Sequence, residues 1–230
     1  MSKIILFGNQ KGGVGKSTLT AMAASALSSE PFSRAVYVAD VDPQQSLIRR
    51  RLSDLQAVDL IPRYAIEFKT LSQLLAEIDQ LDQVNDFIFV DAPGKLDNNL
   101  PADQQEITKI LLLADFLFIP IVPGNFSLDA TLDYLKIALK AKARREERPL
   151  EVVALVNMAE PRTLDDRFLI EELEELRTMV NIKFMATRLN RYALFRAADT
   201  LGSLYEAGSA DKAKANFSEW IEEFIEITQN

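Results

Sequence analysis

Two lysines, three glycines and a serine–threonine pair fall within the stretch Gln10-Lys11-Gly12-Gly13-Val14-Gly15-Lys16-Ser17-Thr18. Together these residue types can hold a polyphosphate. Glycines let the backbone approach an anion and adopt φ values closed to other residues. The N–H groups of such a loop, and of a helix start behind it, then point at the phosphates. Lys16 is the ammonium expected at the β- and γ-phosphates. The Ser17 hydroxyl is the expected Mg²⁺ ligand. A glycine-rich turn that holds no ligand is the bland alternative. The coincidence of all these residues in one run counts against it.

Carboxylates stand where they can serve such a metal. Asp91 ends the apolar run Phe87-Ile88-Phe89-Val90. A carboxylate after a buried strand can hold Mg²⁺ through a water. Pro93 and Gly94 then break the chain. An earlier run, Ala35-Val36-Tyr37-Val38-Ala39, leads into Asp40-Val41-Asp42-Pro43-Gln44-Gln45. Aspartate and proline are common in strand-end turns; their distance from the phosphate loop makes these two carboxylates candidates. The chain has Cys 0 and His 0. That excludes disulfides, thiolate metal centres and iron–sulfur ligation, and it disfavours zinc. A hard cation held by oxygen remains, which fits Mg²⁺.

These residues need a scaffold that gathers strand ends. Ile4-Ile5-Leu6-Phe7 leads into the loop as a strand, and the alanine-rich segment 19–27 leads out as a helix. Beyond it, apolar β-rich runs alternate with helical patterns. That is the pattern of an α/β fold: a doubly wound, mostly parallel sheet with helices on both faces. Ligands of such sheets bind beyond the carboxyl ends of the strands. Strands are expected at about 3–8, 35–39, 60–66, 87–90, 116–122, 152–157 and 182–185. Helices are expected at about 46–55, 71–81, 104–113, 128–145 and 165–178, with 190–227 mostly helical. With 230 residues, 48% of them hydrophobic, a single domain over 1–230 is expected. The first strand begins almost at once, so no signal or transit peptide is expected. The longest apolar run, 110–122, contains Asp115 and is too short to span a bilayer. A cytoplasmic protein is expected. The net charge of −8 argues against a globally basic nucleic-acid binder and turns attention to local basic clusters.

The loop departs from G-x-x-x-x-G-K-[ST], which wants glycine where Gln10 stands. Its form, K-G-G-V-G-K-S with Lys11 in front, resembles the deviant Walker A motif of the ParA/MinD family of P-loop ATPases. The segment from Asp40 to Gln44 resembles that family's D-x-D-P-Q switch I. Asp91-Ala92-Pro93-Gly94 resembles its Walker B element and the start of switch II; Lys95-Leu96-Asp97 suggests no sharp role. The resemblance runs nearly the whole chain and is weakest after Asn157. It implies a Mg-ATP-dependent sandwich dimer with slow hydrolysis, in which Lys11 reaches the partner's nucleotide. It also implies that Asp40 faces the metal's water shell, and that Asp42 orients or deprotonates the attacking water. Asn157, at the end of the 152–157 strand, would contact adenine. The lack of an N-K-x-D guanine-reading motif favours ATP over GTP. Lys11, Lys16 and Asp42 are thus the expected catalytic residues. Ser17, Asp40 and Asp91 form the metal set.

By the same resemblance, Arg188, Arg191 and Arg196 would contact DNA phosphates. A second cluster, Lys140, Lys142, Arg144, Arg145 and Arg148, competes for that role. Cations there also complement a helix C-terminus, and Glu146 and Glu147 dilute them. The closing helix carries an apolar face of Phe217, Trp220, Ile221, Phe224 and Ile225. MinD binds membrane with such a helix. Here Glu219, Glu222, Glu223 and Glu226 on the other face would be repelled by anionic lipid, so docking on the protein's own sheet is expected. The chain resembles the short ParA form, without the N-terminal DNA-binding extension of larger relatives. That form binds DNA non-specifically as an ATP dimer and associates with the nucleoid. A ParB-like adaptor on a plasmid or chromosome stimulates its hydrolysis. Two other readings stay open: a same-family ATPase that positions a protein cargo, such as a chemoreceptor cluster or microcompartment, and a metabolic P-loop ligase or synthetase. Lys11 and the D-x-D-P-Q segment count against the last.

Overall fold

A computed structural model describes residues 1–57, 59–93, 101–124, 128–145 and 148–229, with the backbone alone for 101–104. Its strands are β1 (Lys3–Phe7), β2 (Val36–Asp40), β3 (Ala65–Phe68), β4 (Phe87–Asp91), β5 (Phe116–Ile121), β6 (Glu151–Val156) and β7 (Lys183–Phe184). Its helices are α1 (Lys16–Leu27), α2 (Ser46–Ala57), α3 (Leu71–Val84), α4 (Pro101–Leu113), α5 (Leu128–Lys142), α6 (Leu164–Met179), α7 (Ala193–Ala197) and α8 (Lys212–Gln229). The strands form one sheet in the order β3-β2-β4-β1-β5-β6-β7, and every pairing is parallel.

The period of two in the strands divides the core between two faces. Ile5 and Phe7, Val36 and Val38, Phe87 and Phe89, and Phe116 and Phe118 share one face with α1, α2, α7 and α8. Ile4 and Leu6, Ile88 and Val90, and Leu117 and Ile119 share the other with α3, α4, α5 and α6. Both faces are covered, which is why the strands read as continuous apolar runs. On α8, Phe217, Trp220, Ile221 and Phe224 are all 0% exposed. Each such side chain contributes about 1.5–3 kcal/mol of transfer free energy. The apolar face of the closing helix is thus spent on the protein's own sheet. Among the described residues no helix is long and apolar enough to cross a membrane.

Parallel register brings the strand ends to one edge. Asp40 is the register partner of Asp91, so the last residues of β2 and β4 stand side by side. β1 lies between β4 and β5 and carries the glycine loop into the same edge.

Two expected elements are placed differently. The third strand covers Ala65–Phe68 rather than 60–66. Pro62 has no N–H to give to a ladder, and Leu60 and Ile61 are exposed; pairing begins where Tyr37 meets Ala65. The 190–227 region is helical only in α7 and from 212 onward. Between them Asp199 Oδ1 accepts the N–H groups of Leu201 and Gly202, and Gly208 takes φ +65. Such local bonds compete with helix. The final strand shrinks to Lys183–Phe184. Gly94 and residues 95–97, the expected switch II, and Glu146 and Glu147 lie outside the described residues.

Candidate functional site

Asn9 sets the course of the loop at the end of β1. Its Nδ2 donates to the Pro120 carbonyl at 2.9 Å, and its Oδ1 accepts the Lys11 N–H at 2.9 Å. The front of the loop is therefore pinned to β5. Gly13 and Gly15 hold φ values of 77° and 92°, in the left-handed region that favours glycine. Gly15 is the N-cap of α1; no side chain caps that end and no acidic residue sits in its first turn. Its orphan N–H groups are left for an anion. The crest is held from β6: the buried Asn157 donates from Nδ2 to the Val14 carbonyl at 2.9 Å. A Cβ on Gly15 would lie 2.4 Å from that amide nitrogen, so contact as well as φ requires glycine there. Gly12 has open space around it, while Val14 is buried.

Lys16 is 8% exposed and donates from Nζ to the Lys11 carbonyl at 3.3 Å. Burial pulls its pKa down, and the charges of Asp91 and Asp42 hold it up. Asp91 is 1% exposed, and neither of its carboxylate oxygens has a hydrogen-bond partner among the described residues. Burial pushes its pKa up to about 7; the Ser17 hydroxyl beside it and Lys16 oppose the shift, while Asp40 and Asp42 add to it. Asp40 is fully buried and also raised, chiefly by burial. It accepts the Asp42 N–H at 3.1 Å and the Ile48 N–H at 3.4 Å. Asp42 is half-buried and accepts the Gln44 N–H at 2.8 Å.

This donor set fits Mg²⁺. A buried carboxylate without a partner is costly, and a divalent cation would relieve it. Among the described residues no three acidic side chains converge to ligate a metal directly.

Next to the loop, a cavity of about 300 Å³ is lined by Thr18, Asn157, Tyr192 and Phe195 among others. That is the lower end of ligand-pocket volumes and is enough for a nucleoside. Arg191 and Arg196 also line it, so these two arginines sit at the same end of the molecule as the glycine loop. Arg191 pairs with Glu160 at 2.6 Å. Arg196 is exposed, with no carboxylate in ion-pair range among the described residues. Arg188 is committed elsewhere: it pairs with the buried Asp166. The structure therefore does not bring the three expected arginines together as one exposed cluster. In the competing cluster, Arg145 and Arg148 both pair with Asp115, just before β5 and so at the opposite end of the sheet.

Sequence reading passed over Asn9, whose signal was an amide at the strand-to-loop junction. It also passed over the segment 189–196 as a cavity wall.

The family model described as the CobQ/CobB/MinD/ParA nucleotide binding domain matches residues 5–194. No curated protein sequence matches the chain. Among solved structures, a cobyrinic acid a,c-diamide synthase from Mycobacterium smegmatis with bound ATP analog and magnesium is 18% identical, with 98% of this chain and 94% of that chain covered and a TM-score of 0.67. A plasmid partition protein from Borrelia burgdorferi is 17% identical over 98% of this chain and 99% of that one, TM-score 0.66. Apo McdA from Cyanothece is 15% identical over 98% and 100%, TM-score 0.69. At these identities the likeness to solved structures is one of fold.

Proposed function

The chain belongs to the CobQ/CobB/MinD/ParA family of nucleotide-binding domains, and from that premise we propose that it is a ParA-like ATPase. In this reading it dimerises on Mg-ATP, binds DNA without sequence preference and moves a plasmid or chromosome with a ParB-like adaptor. One observation carries the ATPase part. Asp91 is buried without a partner, beside Ser17 and in register with Asp40, and Lys16 is the cation that offsets it.

The residues divide the work as follows. The loop N–H groups and Lys16 would bind the β- and γ-phosphates. Mg²⁺, held by Ser17 and by Asp40 and Asp91 through water, would neutralise phosphate charge. Asp42 would orient the attacking water and take its proton on the carboxylate.

Lys11 would act across a two-fold interface, supplying positive charge to the partner's phosphates. Its backbone N–H and carbonyl both brace the loop, through Asn9 and Lys16. Lys11→Ala leaves those bonds in place. The variant is expected to bind ATP normally, yet to stay monomeric with a slowly hydrolysed analogue and to lose stimulated turnover. Sedimentation decides this: a dimer as stable as wild type with normal turnover would remove the trans role.

DNA binding tests the rest of the reading. ATP-loaded protein should shift random duplex DNA, and binding should weaken about tenfold or more between 50 and 200 mM salt. Arg196→Glu should abolish the shift; because Arg196 also lines the cavity, ATP binding is measured on the same variant by calorimetry, and the shift is read at saturating ATP. An unchanged shift by that variant places the phosphate contacts on other cations, with the exposed Arg144 next in line.

A second reading, a ligase that phosphorylates a small acceptor, draws on the likeness to the synthase fold. Steady phosphate release with DNA and no acceptor would exclude it.

A further inference from the structure

One buried arginine ties the wall of the cavity to the helix that starts at the carboxylates. Arg51 of α2 is 7% exposed. Its guanidinium meets neutral acceptors: Nε donates to Thr200 Oγ1 at 2.9 Å, Nη2 to the Thr200 carbonyl at 3.0 Å, and Nη1 to the Tyr64 carbonyl at 2.9 Å. The group also lies over the Tyr64 ring, 4.6 Å from its centroid. Thr200 is fully buried and donates its hydroxyl onward to Asp54 Oδ2 at 2.7 Å. The same carboxylate accepts the Thr200 N–H at 2.8 Å. Arg50 adds a bond to the Ala198 carbonyl.

Residues 198–200 are thus fastened to α2 by backbone and side chain together. They continue directly from α7, and Tyr192, Phe195 and Arg196 line the cavity. At its other end α2 grows out of the carboxylate loop. Asp40 accepts the Ile48 N–H, and the Gln45 carbonyl accepts the Arg49 N–H. The helix therefore touches the phosphate end of the site with its first turn and, with its later turns, residues 198–200, which follow directly from the cavity wall.

Burying a guanidinium is unfavourable unless its donors are met, and an apolar side chain would staple a loop as well or better. What the planar fork adds is orientation: several acceptors are fixed in one plane. We infer that Arg51 is a positioning residue for nucleotide binding. It holds the 192–196 wall in register with α2, and so with Asp40 and Asp42. The base end and the phosphate end of one nucleotide are then gripped at a set separation. This rests on reading the cavity as the nucleoside site.

A bare polyphosphate does not need that separation; ATP does. The test compares Mg²⁺-ATP with Mg²⁺-tripolyphosphate by calorimetry. Wild type should bind ATP more tightly than tripolyphosphate. Arg51→Met should weaken ATP about tenfold, a loss of about 1.4 kcal/mol, and leave tripolyphosphate unchanged. Arg51→Lys should recover little, because one ammonium cannot hold the plane. Thr200→Val keeps the shape, loses the shared hydroxyl and should give the same selective loss; it serves if Arg51→Met does not fold. Loss of both ligands, or of neither, overturns the positioning role. If wild type binds the two equally, the nucleoside reading of the cavity falls, and the inference with it.

Discussion

A Lys16→Ala chain is expected to lose ATP binding, and with it any ATP-dependent dimer. Lys16 is buried among carboxylates and reaches back to the Lys11 carbonyl. In the free protein its ammonium offsets Asp91 and Asp42. With nucleotide bound it would be the chain's own cation against the phosphates. Truncating one partner of a buried, hydrogen-bonded charge pair costs about 2–5 kcal/mol. That is roughly one and a half to three and a half orders of magnitude in affinity. The real loss should lie at the upper end, because the variant also leaves Asp91 without a counter-charge and releases the front of the loop. Calorimetry with Mg²⁺-ATP is the measurement. Micromolar binding retained by the variant would contradict the assignment of this loop to phosphate.

Asp91→Asn should split stability from function. The carboxylate is buried without a hydrogen-bond partner, and its pKa is raised. At pH 8 the folded protein without metal holds that charge at a cost. An amide of the same shape removes the charge but keeps polar atoms that still lack partners, so the variant without metal should be the more stable by about 1 kcal/mol, the relief of charge burial less the amide's own unmet hydrogen bonds. For a chain of this size each kcal/mol moves Tm by roughly 2–4 °C. The same change should remove the extra stabilisation by Mg²⁺ in the presence of ADP, and should abolish turnover. Calorimetric melting with and without Mg-ADP separates the two effects. A variant that melts below wild type without metal would show that Asp91 has a partner in solution that the described residues do not supply.

The glycine loop was legible in the sequence because such a loop is local by nature. Nine consecutive residues fix its glycines, its lysine and its hydroxyl. The alternation in the strands made the two faces legible, and the apolar runs ending in Asp40 and Asp91 placed both carboxylates at strand ends. That these two are neighbours needed the register of β2 on β4, which no local pattern encodes. The arginines show the same limit. Arg188 looks like a surface cation until Asp166, from α6, is found against it. Arg51 is the last of three consecutive arginines, and only the fold shows that it is buried against Thr200, 149 residues away. Asn157 is expected from the resemblance to contact adenine; its visible bond is to the loop carbonyl of Val14. The 198–211 stretch was misread because helix propensity there is outweighed by side-chain-to-backbone bonds at Asp199 and by Gly208.

The central place of β1 has a consequence during synthesis. Its partners are β4 and β5, both far along the chain, and Asn9 is pinned to Pro120 across a separation of 111 residues. Translation at about 5–20 residues per second leaves the first strand and its loop unpaired for several seconds or more after they leave the ribosome. For that interval the glycine loop lacks the bond that fixes its front, so no ligand of the loop can assist the earliest steps of folding. Until the fifth strand arrives, Phe7 and its apolar neighbours lack the sheet partners that bury them.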